Sequence, residues 1–211
     1  MNKIKSLETV QLYVIIDPKL SLYPDIEEVA SLAIEGGAQM IQFRDKESSD
    51  AKFLDLAARI KKITQSKNVP LIINDRVNIV KSIDAEGVHL GQDDIPLKEA
   101  REILGQEKII GISTSNLEEA MEAEKQGADY IGLGPVFETS SKEIKNTIGT
   151  EMIKQVLSQA KIPVLPIGGI NLNNIDQVII AGSKRIAVIS AVIAQNDIKK
   201  ATQELLERLK K

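Results

Sequence analysis

Two aspartates stand out because each closely follows a short apolar run: Asp75 in "NDR" (Asn74–Arg76) and Asp94 in "GQDD" (Gly91–Asp94). Two hard carboxylates with no Cys nearby suit Mg²⁺, which keeps several waters and is often shared with substrate phosphates. Positive charge is at hand in the same kind of position. Arg44 and Lys46 lie in "QFRDK" (Gln42–Lys46), and Lys142 ends the stretch "GPVFETSSK". Arginine is suited to forked contacts on phosphate oxygens. A second group is less charged: Thr139, Ser140 and Ser141 offer hydroxyls, and Gly168-Gly169 and Ile189-Ser190 offer backbone N–H groups. Bare backbone at glycine lets an anion come close. The pattern suggests two anion sites, one for a diphosphate with Mg²⁺ and one for a monophosphate, with the loop between them serving both. Taken singly, each segment reads as an ordinary solvated loop, turn or helix cap.

What must bring these residues together is an alternation of strands and helices. Apolar, β-branched runs predict strands at Leu12–Ile16, Met40–Phe43, Leu71–Ile73, Gly87–Leu90, Ile109–Ser113, Tyr130–Leu133, Val164–Ile167 and Ile186–Ile189. Amphipathic stretches between them predict helices at Ile26–Glu35, Asp50–Lys67, Val77–Ser82, Leu97–Leu104, Leu117–Gln126, Thr150–Gln159, Asn173–Ala181 and Ile198–Lys210. "GGA", "QGA" and "AGS" close three of these helices with a glycine suited to a left-handed cap, and Asn116 and Asn171 are candidate N-caps. Eight β-then-α units in 211 residues predict a single (β/α)₈ TIM barrel spanning residues 1–211, with an open doubly wound sheet as runner-up. In a barrel, all the polar segments above fall on one rim, at the C-terminal ends of the strands, where such folds build active sites. The connection 134–149 exceeds the usual ~2–6 residues of a βα loop and is expected to act as a lid.

Composition narrows the chemistry further. There are no cysteines, which excludes disulfides, thiolate catalysis and Cys-ligated metals, and one histidine, His89, cannot build a His-rich metal site. His89 is read as a packed structural residue, and Tyr13 and Tyr130 as barrel wall. A net charge of −3 with no long basic block disfavours binding of nucleic acid or a membrane surface. Aromatics at 3% leave little for base stacking. With no apolar run near ~20 residues, the expected setting is cytoplasmic and the expected partners are small-molecule substrates. Self-association into a homo-oligomer is left open.

"IQFRDK", "IINDR", "GVHLGQDD", "GADYIGLGPVFETSSK", "PIGGI" and "AVISAV" occur in an order and at a spacing that resemble the thiamine phosphate synthase family, over essentially the whole chain. The resemblance implies a (β/α)₈ transferase. It would join 4-amino-2-methyl-5-(diphosphooxymethyl)pyrimidine to 4-methyl-5-(2-phosphooxyethyl)thiazole, or its carboxylate, giving thiamine phosphate and pyrophosphate with Mg²⁺. It implies Asp75 and Asp94 as Mg²⁺ ligands. It implies pyrimidine diphosphate contacts from Gln42, Phe43, Arg44, Asp45, Lys46, Asn74 and Lys142, and a pyrimidine contact from Ser113. The thiazole phosphate would meet Thr139, Ser140, Ser141, Gly169, Ile189 and Ser190. Arg44, Lys46 and Lys142 would stabilise the charge growing on the departing pyrophosphate. The thiazole nitrogen has no proton to lose, so no catalytic base is expected.

Two positions depart from the family's habit. Ser115 stands where many synthases carry His, and Glu138 where Pro is common. The sister branch, a thiazole tautomerase, resembles the synthase in fold but uses a His in the Ser115 region and lacks much of the diphosphate set. A tautomerase and a non-catalytic phosphate-ligand sensor remain the alternatives.

Overall fold

The computed structural model describes residues 7–139 and 146–210. Eight parallel strands form one sheet: β1 Leu12–Ile16, β2 Met40–Phe43, β3 Leu71–Asn74, β4 Gly87–Leu90, β5 Ile109–Thr114, β6 Tyr130–Leu133, β7 Val164–Pro166 and β8 Ile186–Val188. They run in the order β7-β6-β5-β4-β3-β2-β1-β8. β7 and β8 lie side by side across the remaining seam, so the sheet is a nearly closed barrel rather than the open doubly wound alternative. Helices wrap it in alternation: α1 Ile26–Glu35, α2 Asp50–Ser66, α3 Val77–Ile83, α4 Leu97–Leu104, α5 Leu117–Lys125, α6 Gly149–Leu157, α7 Ile175–Ile180, α8 Ser190–Ile193 and α9 Ile198–Leu209. Among the described residues no helix is long and apolar enough to cross a membrane.

Strand alternation divides the apolar residues into two cores. Leu12, Val14 and Ile16 of β1, Ile41 and Phe43 of β2, and Ile110 and Ile112 of β5 face outward into the layer beneath the helices. Tyr13 and Ile15, Met40, Ile109, Tyr130, Leu165 and Ala187 point inward and fill the barrel, with Leu7 and Val10 adding to this inner cluster. Because one residue out of step reverses a side chain's face, the same alternation decides which polar residues can reach the barrel's mouth.

Local chemistry sets the helix ends. Asp25 caps α1 by accepting the amides of Glu27 and Glu28, and Asn116 caps α5 by accepting that of Glu119. Gly37, Gly127 and Gly182 take positive φ just beyond α1, α5 and α7, as the three glycine-bearing turns predict. Asn171 does not cap α7. It accepts the Asn173 amide within the preceding turn, and the helix starts two residues later than the pattern predicts, at Ile175.

Candidate active site

The polar segments do converge on one end of the barrel. Gln42, Arg44, Asn74, Ser113, Thr139, Gly169, Ile189 and Ser190 all line a single cavity at the C-terminal ends of the strands. Lys46, Asp75 and Asp94 form a charged group on its β2–β4 side. Ser140, Ser141 and Lys142 lie outside the described residues.

Asp75 directly follows β3 and takes a left-handed backbone, φ 60, at which its amide donates to His89 O at 2.9 Å. Aspartate tolerates this region better than most residues, but it is uncommon and recurs at functional sites. The turn brings the Asp75 carboxyl to that of Asp94, close enough for the two to share a hydrogen bond. Asp94 is itself held by the Gly91 amide at 2.6 Å. Burial, then the hydrogen bond and charge of Asp94, push Asp75 up to about 6, against the lowering influence of Lys46 and Arg44. Lys46 Nζ stands 3.6 Å from the Asp75 carboxyl. This is a pair of like charges in which Asp75 keeps its proton to a higher pH than an isolated aspartate would. No group of three or more His, Cys, Asp or Glu side chains able to hold a metal forms among the described residues. The pair therefore fits an ion that takes few protein ligands and keeps water or substrate oxygens, which is the habit of Mg²⁺.

Arg44 has a partner that sequence reading missed. Its guanidinium is ion-paired with Asp17, which directly follows β1 and is 3% exposed. Asp17 also accepts the Lys19 amide at 3.0 Å. The signal for Asp17 was the one used for its neighbours, a carboxylate just past a strand end.

Two residues of "QFRDK" are placed otherwise than the resemblance implies. The Phe43 ring is fully buried on the outer face of β2, 4.5 Å from the Phe53 ring of α2, so it offers no side-chain contact to a ligand in the cavity. Its parity explains this: Met40 and Gln42 point inward, and Ile41 and Phe43 outward. Asp45 closes a turn, accepting the amides of Glu47 and Ser48 at 3.0 Å and the Ser48 hydroxyl at 2.5 Å. Burial works against its charge, but these bonds outweigh it and hold the carboxyl below its usual range. Arg76 of "NDR" anchors the same turn, donating to Asp45 O at 3.1 Å and Ser48 O at 2.8 Å with its guanidinium over the Phe53 ring. The turn that carries Lys46 is thus fixed from below.

The other side of the mouth is built around glycine. Gly168 and Gly169 both have positive φ, and a Cβ on Gly169 would sit 2.4 Å from Glu138 O. The sequence suggests that this glycine pair admits an anion to bare backbone. In the structure the closeness is used first by the chain after β6, where Val136 N and Phe137 N donate to Ile167 O and Gly168 O at 2.9 and 3.0 Å. The far end of the long connection is tied too, Ile148 N to Pro135 O at 2.8 Å. β8 ends at Val188, one residue early, because Ile189 turns the chain into α8, a short helix that periodicity did not reveal. Ser190 begins α8, where Val192 N and Ile193 N both donate to Ile189 O at 3.0 Å, and Ser190 and Ile189 line the cavity.

At the centre of the cavity floor, Gln42, Tyr13, Tyr130, His89 and Ser113 are joined by hydrogen bonds of 2.6 to 3.0 Å. Gly111 makes this arrangement fit, since a Cβ there would lie 2.0 Å from Tyr130 Cζ.

This site lies on a chain whose residues 12–192 match the family model described as thiamine monophosphate synthase. The chain belongs to the thiamine monophosphate synthase family. A thiamine-phosphate synthase of Shouchella clausii is 45% identical over 201 residues, covering 95% of this chain and 96% of that one. One from Halalkalibacterium halodurans is 46% identical over 190 residues, covering 90% of each. The solved thiamine phosphate pyrophosphorylase of Pyrococcus furiosus superposes with a TM-score of 0.88 at 39% identity, covering 99% of this chain and 96% of that one. Ser115 donates its hydroxyl and amide to Glu119, at 3.1 and 2.7 Å, as part of the α5 cap.

Proposed function

We propose that this chain is a thiamine-phosphate synthase that transfers the pyrimidinylmethyl group from its diphosphate to the nitrogen of the thiazole phosphate, releasing pyrophosphate. The observation that carries this reading is the meeting of Asp75 and Asp94 beside Lys46 and Arg44 at the mouth of a cavity that also reaches Ser190. Relatives bearing that name cover nearly the whole chain and support it.

In the reaction, the bond between the methylene carbon and the bridging oxygen breaks, and its electron pair leaves with pyrophosphate. The neutral thiazole nitrogen supplies the pair for the new C–N bond, so no residue has to remove a proton. The residues therefore have three tasks: to hold two substrates in line, to stabilise the leaving charge and to exclude water. Arg44 and Lys46 face the leaving group. Asp17 fixes the direction of the Arg44 fork, so little reorganisation is needed as charge develops. Asp75 and Asp94 would hold Mg²⁺, which when bound supplies charge stabilisation to phosphate oxygens. Gln42, Asn74 and Ser113 orient the pyrimidine within the inner cavity. Thr139, the backbone at Gly169 and Ile189, and Ser190 receive the thiazole phosphate. Ser140, Ser141 and Lys142 would complete both anion sites from the 134–149 connection, which we read as a lid.

Both substrates are multiply charged phosphates, which stay in the compartment that makes them, so we place the reaction in the cytoplasm. Ser115 speaks against the tautomerase reading, since its side chain serves the α5 cap. Pyrophosphate release from the two purified substrates tests the proposal. Release requiring both substrates and Mg²⁺ is expected. Ligand binding with no release would make the protein a sensor instead.

A further inference from the structure

The hydrogen bonds beneath the cavity have a direction. Gln42 Nε2 donates to the Tyr13 oxygen at 2.6 Å. Tyr13 and Tyr130 are joined hydroxyl to hydroxyl at 3.0 Å, a bond that either oxygen can donate; with Gln42 supplying a donor to Tyr13, the arrangement that leaves no hydrogen idle sends the Tyr13 hydrogen to Tyr130. His89 Nδ1 lies 2.9 Å from the Tyr130 oxygen, and in that arrangement it is the acceptor of the Tyr130 hydrogen. A neutral imidazole that accepts at Nδ1 carries its proton on Nε2, and Nε2 lies 2.9 Å from Ser113 Oγ. Ser113 accepts that proton, which frees its own hydrogen for the cavity that it lines. Burial raises both phenols, with the neighbouring Tyr13 adding to the effect at Tyr130, so both stay protonated donors.

We propose that Gln42, Tyr13, Tyr130 and His89 act as positioning residues that lock His89 as the Nε2–H tautomer and make Ser113 a hydrogen-bond donor into the cavity, so that the site selects a ligand presenting a bare aromatic ring nitrogen at Ser113. The proposal rests on the proposed pyrimidine substrate for the identity of that ring, and the direction of the chain rests on the Gln42 amide donating to Tyr13. The geometry is demanding. Tyr130 and Tyr13 are buried and meet edge to face with centroids 5.9 Å apart, and His89 stacks on Tyr130 at 5.5 Å. A Cβ on Gly132 would stand 3.0 Å from His89 Cε1, so small residues on two neighbouring strands clear the space for this chain. An amide, two phenols and an imidazole at the barrel centre are costly to bury unless every bond is made. A chain that merely satisfied itself would not need to end on a hydroxyl at the cavity surface.

Because the chain has one histidine, its ring nitrogens can be read without assignment ambiguity. Long-range ¹H–¹⁵N correlation spectra of uniformly labelled, full-length protein should show Nδ1 as the unprotonated, pyridine-type nitrogen and Nε2 as the protonated one. Nδ1 carrying the proton, in the other neutral tautomer or in the imidazolium, would overturn the proposal. Tyr130→Phe, read by the same spectra and by kinetics, provides the second arm. It should abolish the fixed tautomer and raise KM for the pyrimidine diphosphate about ten-fold, the scale of one lost directional hydrogen bond, while KM for the thiazole phosphate stays within about two-fold. Equal rises in both constants would mean that Tyr130 serves packing only, and the proposal would fall. Wild-type protein showing the expected tautomer but no turnover would refute the synthase reading and leave the direction of the chain intact.

Discussion

The carboxyl of Asp75, just after β3, lies close enough to that of Asp94, from the segment after β4, for the two to interact as like charges. The two are separate in sequence and are brought together by the parallel pairing of β3 with β4, in which Asn74 aligns with His89. The positive φ of Asp75 then turns its side chain toward its partner. A site that concentrates like charge in this way is poised for a counter-ion.

That pairing has a stability signature. The ordinary aspartate value is 3.8, and in the folded, metal-free protein Asp75 rises to about 6. Between those values the folded state keeps a proton that the unfolded state has lost. Stability from this group is therefore full below pH ~4 and declines as pH rises through about 6. The decline should amount to roughly 1–2 kcal/mol, allowing for the screening of a partly exposed group. Thermal melts across this range should show the slope in wild type and a flatter profile in Asp75→Asn. Mg²⁺ should restore stability most above pH 6, where the carboxylates are free to bind it.

Asp17→Asn should uncouple Arg44. Breaking a largely buried ion pair leaves the remaining charge poorly compensated, so we expect a stability loss of about 2–3 kcal/mol and a rise in KM for the pyrimidine diphosphate of roughly ten-fold. Denaturant unfolding and steady-state kinetics check both. A stability loss with unaltered kinetics would make Asp17 a structural residue alone.

Gly169→Ala should disturb the other substrate. Its φ of +67 disfavours a Cβ, and the Cβ would overlap Glu138 O and Phe137 Cβ. The chain after β6 must shift, at a cost of about 2 kcal/mol. KM for the thiazole phosphate should rise more than KM for the pyrimidine diphosphate, as measured by varying each substrate in turn.

Gly111→Ala tests the packing beneath the site. Its added methyl would enter the Tyr130 ring, which is fully buried beneath the cavity. Loss of about 3 kcal/mol or failure to accumulate folded protein is expected, seen by circular dichroism.

Much of this was legible because a parallel barrel writes itself as repeated units. β1, β2, β4 and β6 have the bounds that their apolar runs predict, and polar residues after those runs fell on one rim as the fold requires. Less legible was anything that depends on register or parity. Phe43 sits beside Gln42 in the sequence but on the opposite face of the sheet, and with all four residues of "MIQF" buried the polar Gln42 was the one clue to parity. The Tyr13–Tyr130 bond joins residues 117 apart and His89–Tyr130 joins residues 41 apart, so only strand pairing reveals them. α8 is too short for periodicity to detect. The Gly168-Gly169 pair signals a close approach, and the sequence does not show that the chain's own backbone after β6 is one of the things that approaches.

The most direct test of the central claim is pyrophosphate release from both substrates as a function of Mg²⁺, in wild type, Asp75→Asn and Asp94→Asn. Wild type should depend on the metal, and each variant should need more of it and turn over roughly a hundred-fold more slowly while remaining folded. Variants that match wild type at limiting Mg²⁺ would contradict the assignment of this pair to the metal.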